Sequence, residues 1–284
     1  MVLETSLVNL ALVILAATVL AFLAKKARQP TVTAYILAGL LLGSAGAGIV
    51  TGGESISLLS ELGLAFLLFL IGLEIRVDEI RKIARPVTII AVSQMALVAA
   101  TGFLLAWMLG FSMVSSLFIA GAVMYSSTAV VVKLLSDRDE ISSLPGKLDV
   151  GMLLIEDLAV VLLLALIGTG AGSPARIALS IAEIFLMAGA VAALSILSSR
   201  YLLPRVFEKI ADNRHAFFTH GIAWLFLMVT VTRHLGISME IGAFFAGLSL
   251  AQLPYSQELQ ERVRPLTDFF MAIFFINIGL GLDR

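Results

Sequence analysis

Cysteine is absent from the 284 residues. That rules out disulfides, thiol redox chemistry and thiolate-held metal sites. Charge is scarce too: Asp, Glu, Lys and Arg make up 14% of the chain, where soluble domains run at about a quarter. The charges cancel to −1, so no basic field exists to draw in nucleic acid. The few histidines, His215, His220 and His234, flank one apolar segment at spacings that suit no familiar metal site. No phosphate loop, catalytic triad or zinc motif is present, and the glycine-rich GAGIVTGG at 46–53 follows no strand, so it does not read as a nucleotide loop. A basic leader is missing as well: the first apolar run begins with Glu4 and ends in Lys25-Lys26, unlike a secretory signal.

What fills the chain is hydrocarbon. Sixty per cent of residues are hydrophobic and the mean hydropathy is +1.03, a surplus that a soluble core of this length would not need. Ten apolar segments are expected, near 5–24, 31–49, 56–74, 87–109, 113–135, 148–169, 176–199, 215–233, 237–253 and 267–282. Each must close its own backbone hydrogen bonds in lipid, so each is expected to be a helix. Linkers are short, which predicts a single all-α membrane domain over 1–284. The connections after the odd segments hold Lys25, Lys26, Arg28, Arg76, Arg81, Lys82, Arg85, Arg138, Lys147, Arg200, Arg205, Lys209, Arg214, Arg262 and Arg264. The opposite side holds only Arg176, Arg233 and Arg284. By the positive-inside rule the odd connections face the cytoplasm and the N-terminus lies outside.

Two acids interrupt this pattern. Glu156 and Asp157 sit at the middle of the sixth segment, in LLIEDLAVVLLL. An Asp at such a depth costs roughly 2.5–3.5 kcal/mol on insertion scales. Residues one turn away, Met152, Leu153, Val160 and Val161, offer no polar partner. Partners must therefore come from other helices or from water in a cavity. Neighbouring helical residues point about 100° apart, so the two acids can border one cavity without sharing a stripe. One reading is a polar lock between helices. The other is a site where a proton and a metal cation compete, because desolvation favours the neutral acid and a bound cation favours the ionised one. Two adjacent acids titrate as a pair.

An internal repeat supports the second reading. AYILAGLLLG (34–43) in the second segment matches GAFFAGLSLA (242–251) in the ninth, and FLIGLEI (69–75) in the third matches INIGLGL (276–282) in the tenth. Gly39 and Gly72 are 33 residues apart; Gly247 and Gly279 are 32 apart. The parity of the segments makes the repeat inverted, an arrangement used by secondary transporters, which bind ions near mid-membrane at broken helices. The first repeat is expected over about 5–169 and a partial second over about 176–284.

These motifs, with LAFLLFLIGLEI (64–75), SSTAVVVKLL (126–135), LLIEDLAVV (153–161) and EIGAFFAGLSLAQLPYSQEL through FFINIGLGLD (240–283), resemble the cation:proton antiporter-2 family of monovalent cation/proton exchangers. The resemblance covers essentially the whole chain. It implies that the fifth segment is interrupted near Ser126, Ser127 and Thr128, whose carbonyls and hydroxyls would help hold a dehydrated cation. It also implies that Asp157 carries the proton or the Na⁺ or K⁺ ion, with Glu156 expected to tune that exchange as the second ion-binding or proton-carrying acid. Glu156 departs from the Asp, Asn or Gln found there in relatives, which leaves stoichiometry open. The tenth segment offers Asn277 where some electrogenic relatives carry Lys. Counterparts of segments 4 to 6 are lacking in the second repeat, so about three further helices are implied. The expected protein is a non-enzymatic antiporter of the plasma membrane with no cofactor, a homodimer by family analogy, whose partners are lipid, cations and protons. Rival readings are a non-transporting fragment of such an exchanger and a sodium-coupled organic-anion symporter. Lys133 reads as a snorkelling anchor or as compensation for the broken helix.

Overall fold

A computed structural model describes residues 2–50, 53–75, 77–168, 174–210 and 214–282, and every regular element among them is helical. In chain order these are α1 (Val2–Lys26), α2 (Thr31–Leu42), α3 (Glu54–Glu74), α4 (Val77–Met108), α5 (Met113–Val123), α6 (Thr128–Asp137), α7 (Leu144–Gly168), α8 (Pro174–Leu197), α9 (Leu203–Ile210), α10 (Arg214–His234), α11 (Met239–Leu250) and α12 (Ser256–Leu280). All ten expected apolar segments fall on helices. The boundaries shift most where charge had marked an end. The basic run Lys82–Arg85 lies on α4, and α12 starts at Ser256, because long Lys and Arg side chains can project outward from a helix that continues into the interface. Seven helical stretches among the described residues are long and apolar enough to cross a membrane, one of them Met113–Asp137 across the break between α5 and α6, while α2 and α11 are shorter apolar helices.

One element was not anticipated. A π-helical turn at Ser198–Leu202 joins α8 to the eight-residue α9. Leu203 and Phe207 are buried one turn apart, while Arg205, Glu208 and Lys209 are exposed. That is an amphipathic interfacial pattern, too short and too charged to stand out in a hydropathy reading. Phe207 packs edge-on against Phe217 of α10, with ring centroids 5.0 Å apart.

The chain divides into two compact units. The first comprises residues 1–70 and 257–284. Val13 and Ala17 of α1, Ala38 of α2, and Ile273, Ile276 and Leu280 of α12 form one buried cluster there. Helices α2 and α12 touch backbone to backbone at glycine. A Cβ on Gly279 would overlap the carbonyl oxygen of Ile36 and lie 2.8 Å from the Leu40 nitrogen and 2.9 Å from the Gly39 Cα. Farther along α12, Phe270 stacks on Phe66 with centroids 5.4 Å apart, and its carbonyl oxygen lies 2.6 Å from where a Gly63 Cβ would sit.

The second unit comprises residues 71–256. In it α10 packs against α11, and α4 packs against both α5 and α7. Here too a glycine brings two backbones together. A Cβ on Gly72 would overlap the Phe244 carbonyl oxygen and lie 2.8 Å from the Leu248 nitrogen and 3.0 Å from the Gly247 Cα. Phe244, Leu248 and Gly247 are the repeat counterparts of Ile36, Leu40 and Gly39, and Gly72 is the counterpart of Gly279. The repeat therefore extends from sequence to packing: the same three backbone atoms receive the same glycine in each unit.

Candidate functional site

The site lies in the second unit, where α5, α6 and α7 meet. Ser112 caps α5, its hydroxyl accepting the Ser115 N–H at 3.1 Å. The helix runs to Val123, and regular structure resumes only at Thr128. In an unbroken helix the Ser126 N–H would donate to the carbonyl of residue 122. It donates instead to Glu156 Oε2 at 3.0 Å, and the Ser126 hydroxyl donates to the same oxygen at 2.5 Å. A carboxylate of α7 thus takes over a backbone bond that the interruption gives up. The other oxygen, Oε1, accepts from Gln94 Nε2 of α4 at 3.4 Å. Glu156 is 2% exposed, so its two oxygens are satisfied by protein groups and not by bulk water.

Asp157 is placed differently. Its Oδ1 accepts the Thr128 hydroxyl at 3.3 Å, which sets the carboxyl at the first turn of α6, where helical N–H groups favour negative charge. Its Oδ2 is buried and has no hydrogen-bond partner among the described residues. Glu240, in the first turn of α11, lies within electrostatic reach of this carboxyl. One carboxylate oxygen of Asp157 therefore lacks a protein donor among the described residues, with Glu240 acting on the same group from α11. A desolvated oxygen without a donor is unfavourable. A proton or a cation relieves that cost, and the bond to Thr128 fixes the direction in which either is received.

The expected site residues divide accordingly. Glu156, Asp157, Ser126 and Thr128 come together. Ser127 is the N-cap residue of α6, but its side chain makes no capping bond and the residue is exposed. Asn277 lies on α12 in the other unit, half-buried. Lys133 is buried on α6 and pairs with Asp137 one turn on, at 2.9 Å, so its charge is matched within the helix. Gln94, Tyr125 and Glu240 belong to the neighbourhood and had not been singled out. Gln94 carried a signal, a lone amide within an apolar stretch of α4. Tyr125, in the interruption, has a buried hydroxyl with no partner among the described residues.

The interrupted helix thus has two carboxyl groups of a second helix at its break. The family model described as "Sodium/hydrogen exchanger, transmembrane" matches residues 12–284. The chain belongs to that family and is a multi-pass integral membrane protein. It is 32% identical over 262 residues to the chloroplastic K(+) efflux antiporter 1 of Arabidopsis thaliana, covering 89% of this chain and 22% of that one. Identity to the iron transporter MagA of Paramagnetospirillum magneticum is 31% over 276 residues, covering 96% and 63%. The chain thus spans less than two thirds of the length of these relatives. In fold it is similar to the sodium proton antiporter MjNhaP1 from Methanocaldococcus jannaschii, at 16% identity and a TM-score of 0.67, covering all of this chain and 72% of that one.

Proposed function

We propose that the protein exchanges Na⁺ or K⁺ for H⁺, with Asp157 holding either the cation or the proton. The observation that carries this reading is the buried Oδ2 of Asp157, without a donor among the described residues, beside the end of an interrupted helix. Thr128 orients the carboxyl, and Glu156 holds the interruption in place. The Arabidopsis relative, named for K⁺ efflux, favours K⁺ as cargo; MagA makes iron a useful comparison cation. The domain is proposed to contain a first repeat over about 5–169 and a partial second over about 176–284. The proposed setting is the plasma membrane, as a homodimer, with the N-terminus outside and the Lys- and Arg-rich connections in the cytoplasm.

The test is cation-dependent proton movement in proteoliposomes holding the full protein. K⁺ or Na⁺ gradients, with no organic solute present, should drive proton flux, and Asp157→Asn should reduce it to the protein-free background. Because proton and cation share one carboxyl, the half-saturating cation concentration should rise as pH falls, by about tenfold per unit once the site is mostly protonated. Flux that survives Asp157→Asn, or a half-saturating concentration indifferent to pH, refutes the reading. A requirement for an organic anion would favour the symporter instead.

A further inference from the structure

Below the acid pair, on the same helix, the second unit holds an apolar cavity of about 200 Å³. Its walls are Ile83 and Val87 of α4, Val150, Leu154 and Ile155 of α7, and Phe244 of α11. Gly151 lies against Val87, whose side chain comes within 2.9 Å of where a Cβ would sit, and so keeps α4 and α7 close. The composition changes along the cavity. At one end Lys147 contributes to the lining, in the first turn of α7. Two exposed cations, Lys82 and Arg85, flank the lining residues Ile83 and Ala84. From Lys147 to Leu154 the helix rises by about 10 Å, so the basic end lies near the helix terminus and the oily end reaches the level just before Glu156. Outside the cavity, α4 presents Ile89, Ile90 and Val92, all exposed, which is a surface for hydrocarbon.

We propose that this cavity is a binding site for one anionic phospholipid, an acyl chain lying along Val87, Leu154 and Ile155 and the phosphate meeting Lys147, Lys82 and Arg85. An apolar cavity with Lys147 in its lining, and with exposed Lys82 and Arg85 adjoining lining residues of α4, matches an amphiphile with a negative head, and a basic pocket between membrane helices is a known way to hold such a head group. A zwitterionic lipid fits the oily part equally well but gains less at the basic rim. A soluble anion gains only the rim.

The test is native mass spectrometry of the full protein released from detergent, titrated with phosphatidylglycerol, with phosphatidylcholine of the same chains, or with glycerol phosphate. One phosphatidylglycerol should be retained in preference to phosphatidylcholine, and glycerol phosphate should not be retained. Lys147→Gln should weaken phosphatidylglycerol about fivefold, as expected for one cation near a lipid head group, and leave phosphatidylcholine unchanged. Ala84→Leu, which fills the cavity and leaves the cations in place, should remove the retained lipid. Arg233→Gln, a cation far along the chain from this rim, serves as a control for general charge loss. Each variant is scored only as a monodisperse species, and if Ala84→Leu does not yield one, Thr88→Leu fills the same lining. Equal retention of the two lipids, retention of glycerol phosphate, or phosphatidylglycerol binding indifferent to both Lys147→Gln and the filling variant overturns the proposal.

Discussion

Truncating Glu156 separates two jobs that adjacent carboxylates could share. Glu156→Ala removes the acceptor of the Ser126 N–H, the Ser126 hydroxyl and the Gln94 amide. Hydrogen bonds to a charged group contribute roughly 1.5–3 kcal/mol each. The Gln94 contact, at 3.4 Å, is long and adds little, and Ser126 is exposed, so water can reclaim part of what its N–H loses. The expected destabilisation is therefore about 3 kcal/mol, not the sum of three full bonds. Glu156→Gln keeps one oxygen for Ser126 and can donate to Gln94, so about half of that loss is expected. Thermal unfolding of the purified protein reads this directly, and the fall in melting temperature should be about twice as large for Ala as for Gln. Transport gives the other half of the result. Glu156→Gln should retain cation-driven proton flux at reduced rate, because the interruption is still held, whereas Asp157→Asn should not. An alanine variant as stable as the parent would mean that the carboxylate does not hold the break. A glutamine variant as inactive as Asp157→Asn would mean that the charge of Glu156 is itself part of the carrier.

Two further perturbations probe neighbouring links. Thr128→Val removes the hydroxyl that bonds Asp157 at 3.3 Å; at about 1 kcal/mol for a bond of that length, the half-saturating cation concentration in proteoliposomes should rise about fivefold. Gly39→Ala or Gly279→Ala forces a methyl group into backbone that has no room for it, and should lower stability by about 1–3 kcal/mol in a thermal unfolding assay. Gly189→Ala on α8, which meets nothing within 4 Å, should be neutral or stabilising by up to about 1 kcal/mol.

Hydropathy made the helices legible, since a membrane leaves the backbone almost no alternative. Repeated glycines at matched spacing marked two places where helices touch backbone to backbone, because only glycine leaves that space. The acid pair was conspicuous as charge without local compensation. Less visible were the groups that answer it from other helices. Glu240 stands in the first turn of α11, where an acid is already favoured by the helix N-terminus, so nothing in its local pattern separates an interfacial role from one beside Asp157. Lys133 had no apparent partner within its own span, expected to end at 135, yet Asp137 lies one turn on and pairs with it. Side-chain periodicity states which face a residue occupies and not what that face meets. The helical character of 203–210 was hidden for the same reason: Pro204 and the charged Arg205, Glu208 and Lys209 look like a loop until Leu203 and Phe207 are found buried beneath them.

Two acids side by side in an apolar helix need not be equivalent, and here geometry divides them. A turn of about 100° between successive residues sends Glu156 toward α4 and the interruption, where three donors converge on it, and sends Asp157 toward the start of α6 and Glu240, where a single hydroxyl does. The first carboxylate is saturated by its surroundings, so a cation would have to displace existing bonds to reach it. The second keeps one buried oxygen without a donor among the described residues, so a proton or a cation improves its situation without displacing anything. Exchange requires a group whose neutral and cation-bound forms are close in free energy, and a carboxylate already held by three donors is a poor candidate. On the proposed reading, anchor and carrier are set apart by their neighbours while being covalently adjacent, which keeps Asp157 in register with the break.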